Sequence, residues 1–258
     1  MRFHSNSYYT TTNKSKSLFP TIKFLTSFLK IVYQNGKLAK ENKYDDLRWE
    51  EGSIKILKYL ENVGVEFIIE GLNNLDRTKD PVVIVANHMS VLETVCLPAI
   101  LLPRKKISFI VKKELSKTPF FKHIIINKNS ILLSRNNPRS DYVEAINQAI
   151  ERIKSGFSVI VFPQKARKKY VDFREFNSLG AKLALKTNAP IVPLALITDA
   201  WRIGTIIKDF GKIDPSKKVI FSFGEPIYPT TSQQEIMNKI FEHIKNTFIK
   251  FNRQELLV

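Results

Sequence analysis

The chain reads as an α/β protein: a central, mostly parallel or mixed sheet covered by helices, preceded by an N-terminal interfacial amphipathic helix. Two observations predict it. Short apolar runs rich in Val and Ile recur at 82–86, 107–112, 157–162 and 191–197, the composition of strands. Between them lie stretches with helical periodicity, and strand–helix alternation of this kind builds a sheet with helices on its faces.

Residues 1–17 are polar, rich in Ser, Thr, Asn and Tyr, and read as a flexible tail. From Leu18 to Tyr33 an apolar stretch follows, with Pro20 suited to a first helical position. Lys23 and Lys30 interrupt it, and it is shorter than a comfortable membrane span. This pattern predicts a helix lying in a membrane interface, aromatics down and lysines toward headgroups. The alternative is a helix packed on the protein's own core. No small-residue cleavage site marks a signal peptide.

A charged amphipathic helix is predicted over 37–62, carrying Leu47, Ile54, Leu57 and Leu60, and Gly64 ends it. Strands follow at 65–70 and 82–86, separated by a polar turn, and a helix then runs to about Leu102. Further strands are read at 107–112 and 130–134. Pro138 opens a helix to Lys154 with Val143, Ile146, Ile150 and Ile153 on one face, and Gly156 closes it. Strand 157–162, helix 177–187, strands 191–197 and 218–223, and a C-terminal helix from about Ser232 complete the order.

Composition narrows the function. With 43% hydrophobic and 25% charged residues the chain has the balance of a globular protein. The single cysteine, Cys96, excludes an intramolecular disulfide and falls in an apolar helical pattern that suits buried filler. The histidines at 4, 88, 123 and 243 stand at no zinc-ligand spacing, so no metal is expected. A formal charge of +17 calls for a polyanionic neighbour. No helix-turn-helix, zinc finger or RNA-binding strand motif is present, which sets anionic membrane lipids above solvated charge and leaves nucleic acid unexpected.

The chemistry concentrates in Val82–Glu93. An apolar strand delivers His88 to a turn, and Glu93 follows five positions later at the mouth of a helix. A histidine beside a carboxylate can take a proton from a hydroxyl, because its ordinary pKa lies near working pH. The carboxylate would fix the tautomer and balance the imidazolium. Ser90 and Glu93 also satisfy the S-x-x-E spacing of a capping box, so Glu93 could serve only the helix end.

Four blocks in order carry a family resemblance. Asn87-His88-x-x-x-x-Glu93 resembles the NHx4D motif of the glycerolipid acyltransferases, which include the lysophosphatidic acid acyltransferases. Ile131-Leu132-Leu133-Ser134-Arg135 resembles the second motif, a strand ending in arginine, and Phe162-Pro163-Gln164-Lys165-Ala166-Arg167 the third, usually FPEGTR. Ala189-Pro190-Ile191-Val192-Pro193-Leu194-Ala195 resembles the fourth. Three departures stand out: Glu93 replaces the usual Asp, Asn129 sits where glycine is usual, and Gln164-Lys165-Ala166 replace Glu-Gly-Thr, while Arg167 alone of that tetrad is kept.

The resemblance implies transfer of a fatty acyl group from an acyl-CoA or acyl carrier protein thioester to the hydroxyl of a lysophospholipid, with 1-acyl-sn-glycerol-3-phosphate as the expected acceptor. His88 would be the general base and Glu93 its orienting partner. Arg135 and Arg167 would hold the acceptor phosphate by paired charge-assisted bonds, with Lys112, Lys165 and Lys168 adding positive field. No cofactor is implied. Another lyso-lipid or glycerol phosphate acceptor, or an inactive lipid-binding relative, are the alternatives. Together with the N-terminal pattern, the resemblance divides the chain into a tail (1–17), a membrane-associating helical segment (18–62) and an acyltransferase domain (63–258), expected at the cytoplasmic face of a membrane.

Overall fold

A computed structural model describes residues 3, 5–11, 17–78, 81–114, 122–134, 138–205 and 207–258. The short apolar runs become strands that stack side by side: β1 (Tyr8–Tyr9), β2 (Phe67–Glu70), β3 (Val83–Ala86), β4 (Ile107–Lys112), β5 (Ile131–Leu133), β6 (Ser158–Val161), β7 (Ile191–Ile197) and β8 (Val219–Phe223). Their spatial order is β1-β2-β8-β7-β3-β6-β4-β5. The β1–β2 and β7–β8 pairs are antiparallel and the others parallel, so the sheet is mixed but mostly parallel, as the sequence predicts.

Helices cover both faces: α1 (Pro20–Lys40), α2 (Asp46–Asn62), α3 (Asn73–Asp76), α4 (Leu92–Leu101), α5 (Lys122–Asn127), α6 (Pro138–Lys154), α7 (Leu179–Thr187) and α8 (Gln233–Lys250). Alternation along β3 sends Ile84 and Ala86 into one core, with α1, α2 and α4, and Val83 and Val85 into the other, with α6, α7 and α8. The position of β3 between β6 and β7 buries both of its faces, which explains its uninterrupted apolar run.

Two boundaries differ from the sequence reading. The first helix extends to Lys40 and the charged helix starts at Asp46, because Asn42 turns left-handed (φ 56°) and Asp45 caps α2 by accepting from the Arg48 N–H at 2.8 Å. Leu47, expected on the buried face, is consequently exposed. In the N-terminal stretch read as a tail, Tyr8–Tyr9 pairs with Ile68–Ile69 as β1, and the Tyr8 and Thr10 hydroxyls both donate to Glu61 Oε1. A two-residue strand has too little length for a period to show.

The first helix has two apolar faces. Phe24, Phe28, Ile31 and Val32 are buried, and the rings of Phe24 and Phe28 meet the fully buried Trp201 edge-on at 4.8 and 5.1 Å. Leu18, Phe19, Ile22 and Tyr33 stand outward, Leu18 being 90% exposed. The aromatics expected to point into a membrane are therefore divided: Phe24 and Phe28 pack on the core, and Phe19 and Tyr33 face out. No described helix is long and apolar enough to cross a membrane.

Close packing behind the sheet depends on Gly180 in α7. A Cβ there would stand 2.5 Å from Val85 Cγ2, and the β-branched Val85 has little rotameric freedom to retreat. Gly180→Ala is expected to cost about 1–3 kcal/mol by overpacking, read as a lower denaturant midpoint at unchanged slope.

Candidate active site

β3 ends at Ala86, and Asn87 continues its line by other means. The Asn87 Nδ2–H donates to Leu196 O and the Leu196 N–H donates to Asn87 Oδ1, both at 2.8 Å. The following turn is pinned from the third-motif loop: the His88 N–H donates to Gln164 Oε1 at 2.6 Å, and the Lys168 N–H donates to His88 O at 3.0 Å. The imidazole stacks on Phe162 with ring centroids 4.1 Å apart and 19° between planes. Backbone, side chain and ring face are thus all fixed before any substrate arrives.

Glu93 sits in the first turn of α4, fully buried, and its two oxygens accept five hydrogen bonds. Oε1 accepts from His88 Nδ1 at 2.9 Å and from the Met89 and Ser90 N–H groups at 2.6 and 2.8 Å. Oε2 accepts from the Ser90 and Thr198 hydroxyls at 2.8 and 2.7 Å. Burial pushes this carboxyl up, but the bonds and charge of His88, the Ser90 N–H and the Thr198 hydroxyl outweigh it and hold Glu93 below the ordinary carboxylate range. Capping and orientation are done by one side chain: Glu93 reaches back to the helix-entry N–H groups and also grips the imidazole. The Ser90 hydroxyl accepts from the Leu92 N–H rather than from Glu93, so the reciprocal capping box is incomplete.

With Nδ1 tied to Glu93, Nε2 is left as the atom that can accept a proton. The His88 side chain is 16% exposed and lines a cavity of about 710 Å³. Most of its wall is apolar, contributed by Phe28 and Val32 of α1, Trp49 and Ile56 of α2, and Val91 and Val95 at α4. Gln164, Lys165, Arg167 and Asp209 add polar groups to the same wall.

The other candidates are distributed unevenly. Lys112 ends β4 and lines the cavity, as does Lys165. Arg167 lines it half-buried, in an ion pair with Asp209. Lys168 directs its ammonium to Glu175 instead, and meets the site only through its backbone N–H on His88. Arg135 lies outside the described residues. Asn129 has φ 51°, so an asparagine supplies the left-handed turn for which glycine is usual. Lys165 has no positive φ, and the glycine it replaces is not required here by backbone conformation. Sequence reasoning missed Thr198, Gln164 as a clamp on the His88 turn, and Asp209, all brought in by the fold from far along the chain. Cys96 is buried in the core with its thiol pushed well up by burial, which fits the filler reading.

Comparison with known proteins gives a consistent answer. A 1-acyl-sn-glycerol-3-phosphate acyltransferase of Pseudomonas aeruginosa is 29% identical over 132 residues, covering 51% of this chain and 49% of that protein. The chloroplastic 1-acyl-sn-glycerol-3-phosphate acyltransferase of Brassica napus is 30% identical over 185 residues, covering 67% and 49%. The chain therefore spans about half the length of these curated relatives. A probable 1-acyl-sn-glycerol-3-phosphate acyltransferase of Mycoplasma pneumoniae is 26% identical with 86% and 85% covered. Among solved structures, the LPA acyltransferase PlsC of Thermotoga maritima superposes with a TM-score of 0.67 over 90% of this chain and 95% of its own, at 23% identity, which shows a shared fold. The acyltransferase family model matches residues 66–197, just over half of the chain and the stretch that carries His88, Glu93 and Arg167, and this protein belongs to that family.

Proposed function

We propose that this protein transfers a fatty acyl group from an acyl-CoA or acyl carrier protein thioester to the free hydroxyl of 1-acyl-sn-glycerol-3-phosphate, giving phosphatidate. The observation that carries this reading is His88, backed by the buried Glu93, on the wall of a largely apolar cavity whose size suits a lipid-like ligand. His88 Nε2 takes the proton of the acceptor hydroxyl, and the oxygen attacks the thioester carbonyl carbon. Glu93 balances the imidazolium. Collapse of the tetrahedral intermediate breaks the carbon–sulfur bond, and the departing thiolate recovers the proton from His88. Arg167 is the described residue best suited to the acceptor phosphate, with Lys112 and Lys165 reinforcing the field. Arg135 keeps its sequence-based assignment to the same role. The test is transfer of labelled acyl groups to lysophosphatidate and to a panel of other lyso-lipids, with either thioester carrier. Absence of product from folded, lipid-bound protein would reject the enzymatic reading in favour of a lipid-binding relative.

The reading also places the protein on a membrane, with the segment 18–62 associating with lipid ahead of an acyltransferase domain at 63–258, at the cytoplasmic face. Support comes from the outward side chains at the start of α1, where Phe19, just before the helix, is 69% and Ile22 65% exposed, with Lys23 and Lys30 also exposed along the helix. Apolar side chains flanked by lysines bind an anionic interface by burial and charge together. The double variant Phe19→Glu, Ile22→Glu is expected to lose cosedimentation with phosphatidylglycerol vesicles while retaining its thermal transition, since neither side chain is in the core.

A further inference from the structure

Arg167, the guanidinium assigned above to the acceptor phosphate, is already occupied. Asp209 lies against Arg167 Nη1, both groups are roughly a quarter exposed, and both line the cavity beside His88. Yet Asp209 Oδ1 has no hydrogen-bond partner among the described residues, so the contact is one of charge without an aligned N–H. The other carboxylate on the described wall, Asp141, accepts a directed bond from the Ser134 hydroxyl at 2.5 Å.

Asp209 is carried by a self-closed strap. Trp201 bridges Ile213, the Arg202 N–H donates to Lys212 O at 2.9 Å, and the Gly204 N–H donates to Lys208 O at 3.1 Å. A Cβ at Gly211 would stand 1.7 Å from Arg202 O, so the strap closes only with glycine there. Among the described residues, Arg167 is the side-chain partner of the Asp209 carboxylate.

We propose that Asp209 is a resident stand-in for the acceptor's phosphate: it neutralises Arg167 in the empty enzyme and is exchanged for the lipid-borne phosphate when the acceptor enters. The inference rests on the reading of Arg167 as a phosphate ligand. A phosphate oxygen pair can take the guanidinium's parallel N–H groups, which the present contact leaves unused, and a phosphate monoester carries more charge than the carboxylate it replaces. An acceptor without phosphate cannot make the exchange. Asp209 is therefore a specificity-determining residue that acts through Arg167.

A double-mutant cycle on the full chain tests it, using Asp209→Asn (with Asp209→Ala as a second variant), Arg167→Ala and their combination. Steady-state transfer is measured to lysophosphatidate and to monoacylglycerol, which lacks the phosphate. Asp209→Asn is expected to lower KM for lysophosphatidate by up to about fivefold, the range of a partly exposed ion pair, with the change in KM rather than kcat. No gain is expected in the Arg167→Ala background or with monoacylglycerol. An unchanged KM in both Asp209 variants, or equal gains with Arg167 absent, would overturn the exchange while leaving the phosphate reading intact. A KM indifferent to Arg167→Ala would instead remove that reading.

Discussion

Replacing His88 by alanine is expected to lower acyl transfer by at least the ~10²–10⁴ typical of a positioned general base, and to do so in kcat. The reason lies in the geometry around the ring. Nδ1 is bound to Glu93 and the ring face to Phe162, so Nε2 is held as a proton acceptor on the cavity wall. A water in the vacated space would be a far weaker base than an imidazole. The bonds that fix the turn use the His88 backbone, and Gln164 and Lys168 keep them in the variant. A single-turnover assay beside a thermal melt separates the two contributions. Loss of activity with the melt preserved is the expected result, and an active alanine variant would move the base elsewhere.

Glu93→Gln should be damaging in both stability and rate. The wild-type carboxylate answers five donors with two oxygens, and an amide offers one oxygen and brings two donors of its own. Leaving buried donors without an acceptor costs about 1–3 kcal/mol for each group, measurable by denaturant unfolding at neutral pH. The amide can also turn an N–H toward Nδ1 and enforce the wrong imidazole tautomer, for a fall in kcat on the order of 10⁴-fold. The pH dependence identifies the cause. Since Glu93 titrates below its ordinary value of 4.5 when folded, the unfolded chain takes up this proton first on acidification. The stabilisation is complete above the unfolded value and disappears as pH falls through the folded one. Wild type and Glu93→Gln are therefore expected to converge in stability at low pH and to diverge toward neutrality.

The sequence is most informative where an interaction is local. His88 and Glu93 are five residues apart, and an apolar strand followed by a helix start leaves them few arrangements, so the pair could be read without the fold. The β3, β4, β6 and β7 runs were legible because a doubly buried strand leaves a continuous apolar stretch. Thr198 lies 105 residues from Glu93, and its bond exists only because β7 runs beside β3. Gln164 and Asp209 are equally topological: nothing in the spacing of Gln164 marks it as an acceptor for the His88 N–H. In α1 the difficulty differs, since apolar residues on two faces look alike in sequence and only the position of Trp201 selects Phe24 and Phe28 for the core.

The paired bonds of Asn87 have a consequence for how the enzyme fails. An asparagine amide has the same donor and acceptor as a peptide unit, and here it substitutes for one, extending the ladder to Leu196 while the main chain turns away. The His88 turn is thereby hung from the central strands. Local fraying at the surface has little leverage on it, and heat inactivation should track loss of the sheet itself. Catalysis and cooperative unfolding then share one melting event.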